Sequence, residues 1–430
     1  MNIKTIEYSK INEKLYIYEH SSGLKAFIIP KKGYSKKYAS FATHYGSINN
    51  KFKAPDENEE TWVPDGIAHF LEHKLFEQKD GSVMDKFSMI GASPNAYTSF
   101  TQTAYLFSCT DKFEENLNLL LDYVQNPYIT EESVEKEKGI IGQEIKMYDD
   151  DPGWRAFFNL LGAFYKNHPV RIDIAGTVQS ISEINRDILL KCYNTFYHPS
   201  NMVIIVVGDV EPQSVFEQIE KGIKPLEAKP PIERIFPSEE KGINKDYVEQ
   251  CLSVSIPMFQ MGFKDVEFAT KGIDCLKQEV ATKLLLEMLV GRSSKLYTSL
   301  YEEGLINSSF DFDYTIEENY AFSMFGGEST DPIKVKNKIV EEIREFNKNG
   351  LDKNDFDRIL NAMKGRFIKQ LNSVERIAHQ FIPAYFKDSI MFDYFDVYDK
   401  ITFEYANEVF KKHFDESNLA LSLIKPVKGD

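Results

Sequence analysis

At 430 residues the chain is too long for one ordinary core and predicts two domains of roughly 200 residues each. A hydrophobic share of 42% without low-complexity runs excludes a disordered chain. The formal charge of −15 argues against a nucleic-acid surface, because the summed field repels phosphate and favours a neutral or basic partner. The opening MNIKTIEYSKINEK has no apolar h-region, and nowhere do about 18 apolar residues run together, so neither signal peptide nor membrane span is expected and the reading is cytoplasmic. Cys109, Cys192, Cys251 and Cys275 are widely separated without a CxxC pair, as expected of reduced thiols rather than a disulfide framework or a thiolate zinc site.

In chain order, the first element that carries chemistry is a helix. Pro64, Asp65 and Gly66 supply start signals ahead of IAHFLEHKLF. On a helical wheel Ile67, Phe70, Leu71 and Leu75 gather on one side, and His69, Glu72 and His73 on the other. Two histidines four apart can each offer a ring nitrogen to one ion, while a carboxylate just before the second sits beside that ion without ligating it. HxxEH is the inverted order of the HExxH zinc motif. The bland alternative is a solvated helix face with two incidental histidines, although histidine is scarce, with 8 in the chain.

A zinc site for hydrolysis needs a third protein ligand and an open position. The helical stretch SVEKEKGIIGQEIKM offers one, with Val134, Glu137, Ile140, Ile141, Glu144 and Ile145 along one stripe and the two glutamates seven apart. Carboxylates in an apolar stripe are costly unless something positive meets them, and a metal with its imidazoles would do so. Glu131, Glu132 and Glu135 lie off the stripe and read as first-turn charges. An ion pair at the edge of the core is the alternative for Glu144.

Further on, NMVIIVVGDV (201–210) reads as a buried strand closing a domain, and the proline- and charge-rich stretch 223–245 as a linker. VEQCLSVSIPM (248–258) looks like a first strand starting over. The halves repeat in order: the segments beginning at Cys109 and Ser329, about 220 residues apart, each have a Thr-Asp helix start, an amphipathic helix, a polar break and a second helix. The expected domains are 1–222 and 246–430, joined by 223–245.

These residues resemble the inverzincin peptidases of the pitrilysin, insulysin and mitochondrial processing peptidase family (peptidase M16). PDGIAHFLEH, NAYTSFTQTAY (95–105), EKEKGIIGQEIKMYDDDP and YHPSNMVIIVVGDV fall in that family's order. The resemblance covers most of the chain, with specific motifs in the first half. It implies an α+β fold: two homologous α/β-sandwich domains, mostly antiparallel sheets covered by helices, related by duplication. It also implies a zinc endopeptidase, with His69, His73 and Glu144 as ligands and Glu72 as the general base that activates the zinc's water. Glu137 joins the catalytic set by orienting a ligand from behind. The family binds substrate along an edge strand, which places Asn95, Ala96, Tyr97 and Thr98 nearest the scissile bond. An ordinary amphipathic strand is compatible with the same letters.

The second half departs from the family's pattern. Active members carry there an Arg and, seven residues later, a Tyr that close over the substrate. In SKLYTSLYEEGLINSSF, Tyr301 stands at the Arg position and Asn307 near the Tyr position. ATKLLLEMLVG takes the motif-helix position without histidines, so that half holds no second zinc site of this design. The expectation is a heterodimer: this chain bears the zinc and a homologous subunit bears the Arg and Tyr, together enclosing a peptide. Short or unfolded peptides and leader peptides fit equally as substrates. Two rivals are a non-catalytic scaffold subunit of the same fold and a small-molecule zinc enzyme. The latter resembles S-ribosylhomocysteine lyase, which uses HxxEH with a cysteine ligand, and Cys109 is the residue to test for that role.

Overall fold

The computed structural model describes residues 2–427; the outermost limits of the expected domains lie outside them. Its strands form two principal sheets. The first runs Ile3–Tyr8, Glu13–Glu19, Lys25–Pro30, Met202–Gly208, Lys37–Thr43, Thr103–Cys109, Ala92–Thr98. The all-apolar stretch predicted as a buried strand lies in the interior of this sheet, Met202–Gly208, parallel to Lys25–Pro30 and antiparallel to Lys37–Thr43, with every residue buried. Such a continuous apolar run needs cover on both faces.

The second sheet runs Tyr247–Leu252, Leu419–Pro426, Met258–Lys264, Ala321–Glu328, Asp311–Ile316. It repeats the last five strands of the first, with one parallel pair followed by three antiparallel pairs. The helix pair Phe113–Gln125 and Glu131–Asp150 recurs as Pro332–Asn349 and Lys353–Gln370. The α+β class and the duplication follow from these repeated pairings.

The chain divides into two compact units that differ from the contiguous domains expected. One holds residues up to Ile145, Ile172–Phe236 and Gln370–Phe386; the other holds Lys146–Arg171, Pro237–Lys369 and the chain from Lys387. Each unit thus takes a helix from the opposite half of the sequence. In the first unit, helix Val374–Phe386 sets Phe381 against Phe27 of the first sheet, with ring centroids 4.8 Å apart. In the second, helix Pro152–Phe164 sets Phe164 5.9 Å from Phe322 and joins Asn159 to Gln250 at 2.8 Å. An amphipathic helix needs an apolar surface to cover, and nothing in its own sequence says which sheet provides it.

The stretch 223–245 contains little regular structure, and its two ends are fastened separately. Glu233–Arg234 pairs with Lys51–Lys53, and Arg234 also donates to Asn201 Oδ1 at 3.1 Å. Beyond Pro237, Glu239 accepts the backbone N–H groups of Lys166, Asn167 and His168. The four cysteines are free, with Cys251 the exposed one. No helix among the described residues is long and apolar enough to cross a membrane.

Candidate active site

The HFLEH helix spans Ile67–Phe76 and buries Ile67, Phe70, Leu71 and Leu75, as the wheel requires. Its start differs in detail. Gly66 caps it with no side-chain hydrogen bond, at φ 91°, in the left-handed region that favours glycine. A Cβ there would meet the carbonyl oxygen of Ala175 at 2.4 Å, so Gly66 is required twice over. Asp65, expected as start chemistry, instead accepts from Asn50 at 2.9 Å.

Helix Glu131–Asp150 brings its carboxylates to this face. Val134, Glu137, Ile141 and Ile145 are buried, but Ile140 is 48% exposed, so the apolar stripe is narrower than predicted. Glu144 Oε1 lies 3.7 Å from His69 Nε2, and its Oε2 lies 3.5 Å from His73 Nε2. Behind them, His73 Nδ1 donates to Glu137 Oε1 at 3.0 Å. That bond fixes the ring's tautomer and leaves Nε2 facing Glu144.

The donors fit a zinc ion. Ligand atoms about 2.1 Å from a tetrahedral zinc lie about 3.4 Å from one another, and both imidazole–carboxylate separations are close to that value. Donor atoms of His69, His73 and Glu144 all fall within 4.8 Å of one another, and no other such group of three occurs among the described residues. Burial and the neighbouring His73 pull His69 down to about 3, so its ring is neutral at working pH with a lone pair to offer. His73 is raised: burial opposes its charge, but Glu137, Glu144 and Glu72 outweigh it. Cys109, the ligand a lyase-type site would need, is absent from the donor group; it is buried and pushed up to about 11 by that burial.

Glu72 is buried on the same helix and held differently. Its Oε2 accepts the hydroxyl of Thr98 at 2.6 Å. Burial lifts its carboxyl above the usual range, Glu144 adds to that, and the Thr98 hydrogen bond and His73 partly restrain it. A carboxylate so placed takes up a proton more readily than an exposed one.

Thr98 ends the strand Ala92–Thr98, which pairs on one side only, with Thr103–Cys109, and forms an edge of the first sheet. Ser99 N–H donates to Gln102 O at 2.8 Å, which sets the phase of the ladder. By antiparallel alternation Asn95 and Tyr97 spend their main-chain groups on the neighbouring strand, while Ala96 and Thr98 point theirs away. The open N–H of Ala96 is met by Asn95 Oδ1 at 2.9 Å, a local cover of an exposed edge. Side chains alternate as well. Thr98 reaches Glu72 on the motif helix, whereas the Tyr97 ring lies 5.5 Å from that of His379 on helix Val374–Phe386, so these helices cover opposite faces. Of the four residues expected near the scissile bond, the structure thus joins Thr98 directly to the motif, sets Ala96 on the open edge, and turns the Asn95 and Tyr97 side chains to the other face. Lys74, which the sequence reading leaves aside, is completely buried beside Glu137.

In the second unit, helix Gly272–Val290 carries no histidine; Lys283 pairs with Asp313 at 3.2 Å and Glu287 with Arg366 at 3.0 Å. Tyr301 is exposed and stacks on Tyr297, and Asn307 donates to Glu328 at 2.7 Å.

A duplicated α+β chain in which, among the described residues, one two-histidine, one-glutamate donor set occurs, in the first half, has the arrangement expected of an inverted-motif peptidase. Comparison with known proteins agrees. Residues 57–178 match the family model for insulinase (peptidase family M16), and residues 183–363 match the peptidase M16 inactive domain. Over 429 residues the chain is 46% identical to the uncharacterized zinc protease YmfH of Bacillus subtilis (strain 168), covering 99% of each. It aligns with the crystal structure of an M16-like peptidase from Alicyclobacillus acidocaldarius at a TM-score of 0.93 and 34% identity, over 99% of both chains. With pitrilysin the likeness is one of fold, at a TM-score of 0.76 and 16% identity over 99% of this chain and 47% of that one. The chain belongs to the M16 peptidase family and, at that level, is a peptidase.

Proposed function

We propose that the chain is the zinc-bearing subunit of a heterodimeric endopeptidase that hydrolyses short or unfolded peptides, leader segments included. The observation that carries this reading is the approach of His69, His73 and Glu144, with Glu72 beside them and hydrogen-bonded to the edge strand. His69, His73 and Glu144 would hold the zinc, which when bound supplies a Lewis acid that polarises a peptide carbonyl and acidifies water. A peptide adds to the open edge through the main-chain groups of Ala96 and Thr98. Glu72 takes the proton of the attacking water and passes it to the leaving amide nitrogen. Glu137 orients His73 by its hydrogen bond and takes no part in the proton transfer itself.

Thr98 holds the base in position and, through its backbone, receives the substrate. Replacing it with valine keeps the β-branched shape and removes the donor. A hydrogen bond to a charged group contributes about 1.5 kcal/mol or more, so Thr98→Val lowers kcat about tenfold with zinc content unchanged. An unaltered kcat would show that the Glu72–Thr98 bond has no part in turnover.

The partner is inferred from the second half, where Tyr301 stands at the position expected for the Arg and Asn307 near that expected for the Tyr, so the pair the family resemblance implies is missing. The test is reconstitution. The purified chain alone is expected to bind zinc and cleave an unfolded-peptide mixture slowly. Adding a homologous chain that lacks HxxEH but carries the Arg and Tyr raises the rate at least tenfold and shifts the elution volume to that of a heterodimer. Full activity of the chain alone, without gain from such a relative, overturns the two-chain reading. Peptide inertness of the mixture, with zinc bound, overturns the peptidase assignment.

A further inference from the structure

We infer that Lys74 is a positioning residue of the metal centre: its ammonium holds Glu137 in the place from which Glu137 fixes the ring of His73. The inference rests on the zinc reading above and adds a residue that the motif does not contain.

Lys74 follows His73 directly, yet its side chain has no exposure to solvent. Its ammonium pairs with the carboxylate of Glu77, donates to the backbone carbonyl of Ser133 at 3.3 Å, and lies 3.9 Å from Glu137 Oε2. The other oxygen of the same carboxylate, Oε1, accepts Nδ1–H of His73. Glu137 therefore has the cation within ion-pair distance of one oxygen and the histidine ring hydrogen-bonded to the other. The helix Ile67–Phe76 supplies both of these neighbours from successive residues, so the carboxylate of the second helix meets a cation and a hydrogen-bond donor from one turn of the first.

A lysine with no contact to water is an expensive way to fill space. Removing two charges from water costs more than an apolar residue of similar volume would, so stability alone does not account for it. A fixed positive charge does have a use here. Glu72, Glu137 and Glu144 all crowd the same pair of rings, and Glu137 must stay a hydrogen-bond acceptor while shielded from solvent. The ammonium compensates that carboxylate and stops it from swinging away from His73. Groups that orient a ligand from behind typically contribute a factor of about 10 to 100 in metal affinity.

The experiment measures zinc affinity on the full-length chain by competition with a chromogenic chelator, in the natural chain and five variants. Lys74→Met, of similar length and apolar, is expected to bind zinc about tenfold more weakly than the natural chain. Glu137→Gln loses a comparable factor, and the double variant binds no more weakly than Glu137→Gln alone, because Lys74 acts through that carboxylate. Unchanged affinity in Lys74→Met overturns the proposal, and so does full additivity of the two losses. Glu77→Gln removes the other carboxylate partner of Lys74 while leaving Glu137 in place. Its zinc affinity is expected to stay within about threefold, and a tenfold loss overturns the proposal even if Lys74→Met fails to fold. Failure of the underlying zinc reading looks different: the natural chain and His69→Ala would then bind zinc equally.

Discussion

Glu72→Gln is expected to abolish peptide cleavage while leaving zinc bound. The amide keeps the size of the side chain and can still accept the Thr98 hydroxyl through its carbonyl oxygen, so the hydrogen bond to the edge strand survives. It cannot take up a proton. Positioned general bases contribute about 10²- to 10⁴-fold, and kcat should fall by that factor with the metal-to-protein ratio unchanged by elemental analysis. The upward push on this carboxyl, from burial first and Glu144 second, favours its protonated form and is what the proposed role requires. Turnover that survives the substitution would move the base elsewhere in the chain.

Glu144→Ala is expected to remove the metal itself. With two histidines left, the donor set loses the residue whose oxygens face both rings. If a three-residue site binds zinc with roughly 12 kcal/mol, an equal share per ligand makes the loss on the order of a thousandfold in affinity. Thermal unfolding offers a reading independent of activity. Zinc at a thousand times its dissociation constant stabilises the natural chain by about 4 kcal/mol, and the same concentration should leave Glu144→Ala almost unshifted. An equal zinc-dependent rise in Tm for both proteins would place the third ligand at another residue. Glu137→Gln lies between them, because it loosens a ligand without removing one.

The differences between sequence reading and structure have particular causes. The face shared by His69, Glu72 and His73 was legible because helical periodicity is local. The width of the carboxylate stripe was not: Ile140 fits the wheel but meets solvent, since where cover ends depends on a neighbour. Asp65 and Gly66 both read as start signals. The close approach of Ala175 makes Gly66 the residue that matters, and Ala175 is more than a hundred positions away. Asn95 to Thr98 looked like one substrate-facing group, whereas strand alternation divides them between the two faces of the sheet.

By itself, the sequence determined which candidate groups this protein carries: a pair of histidines at helical spacing, a glutamate between them, two carboxylates one heptad apart and a duplicated plan. All of these are periodic or ordered along the chain, so they survive without coordinates. Only the tertiary structure decided which strand has an open edge, that Thr98 rather than solvent meets Glu72, that a buried lysine stands behind Glu137, and that helices Pro152–Phe164 and Val374–Phe386 each pack within the unit formed mainly by the other half. Those outcomes depend on pairings between distant residues, and a local pattern states only that a face must be buried, never against what.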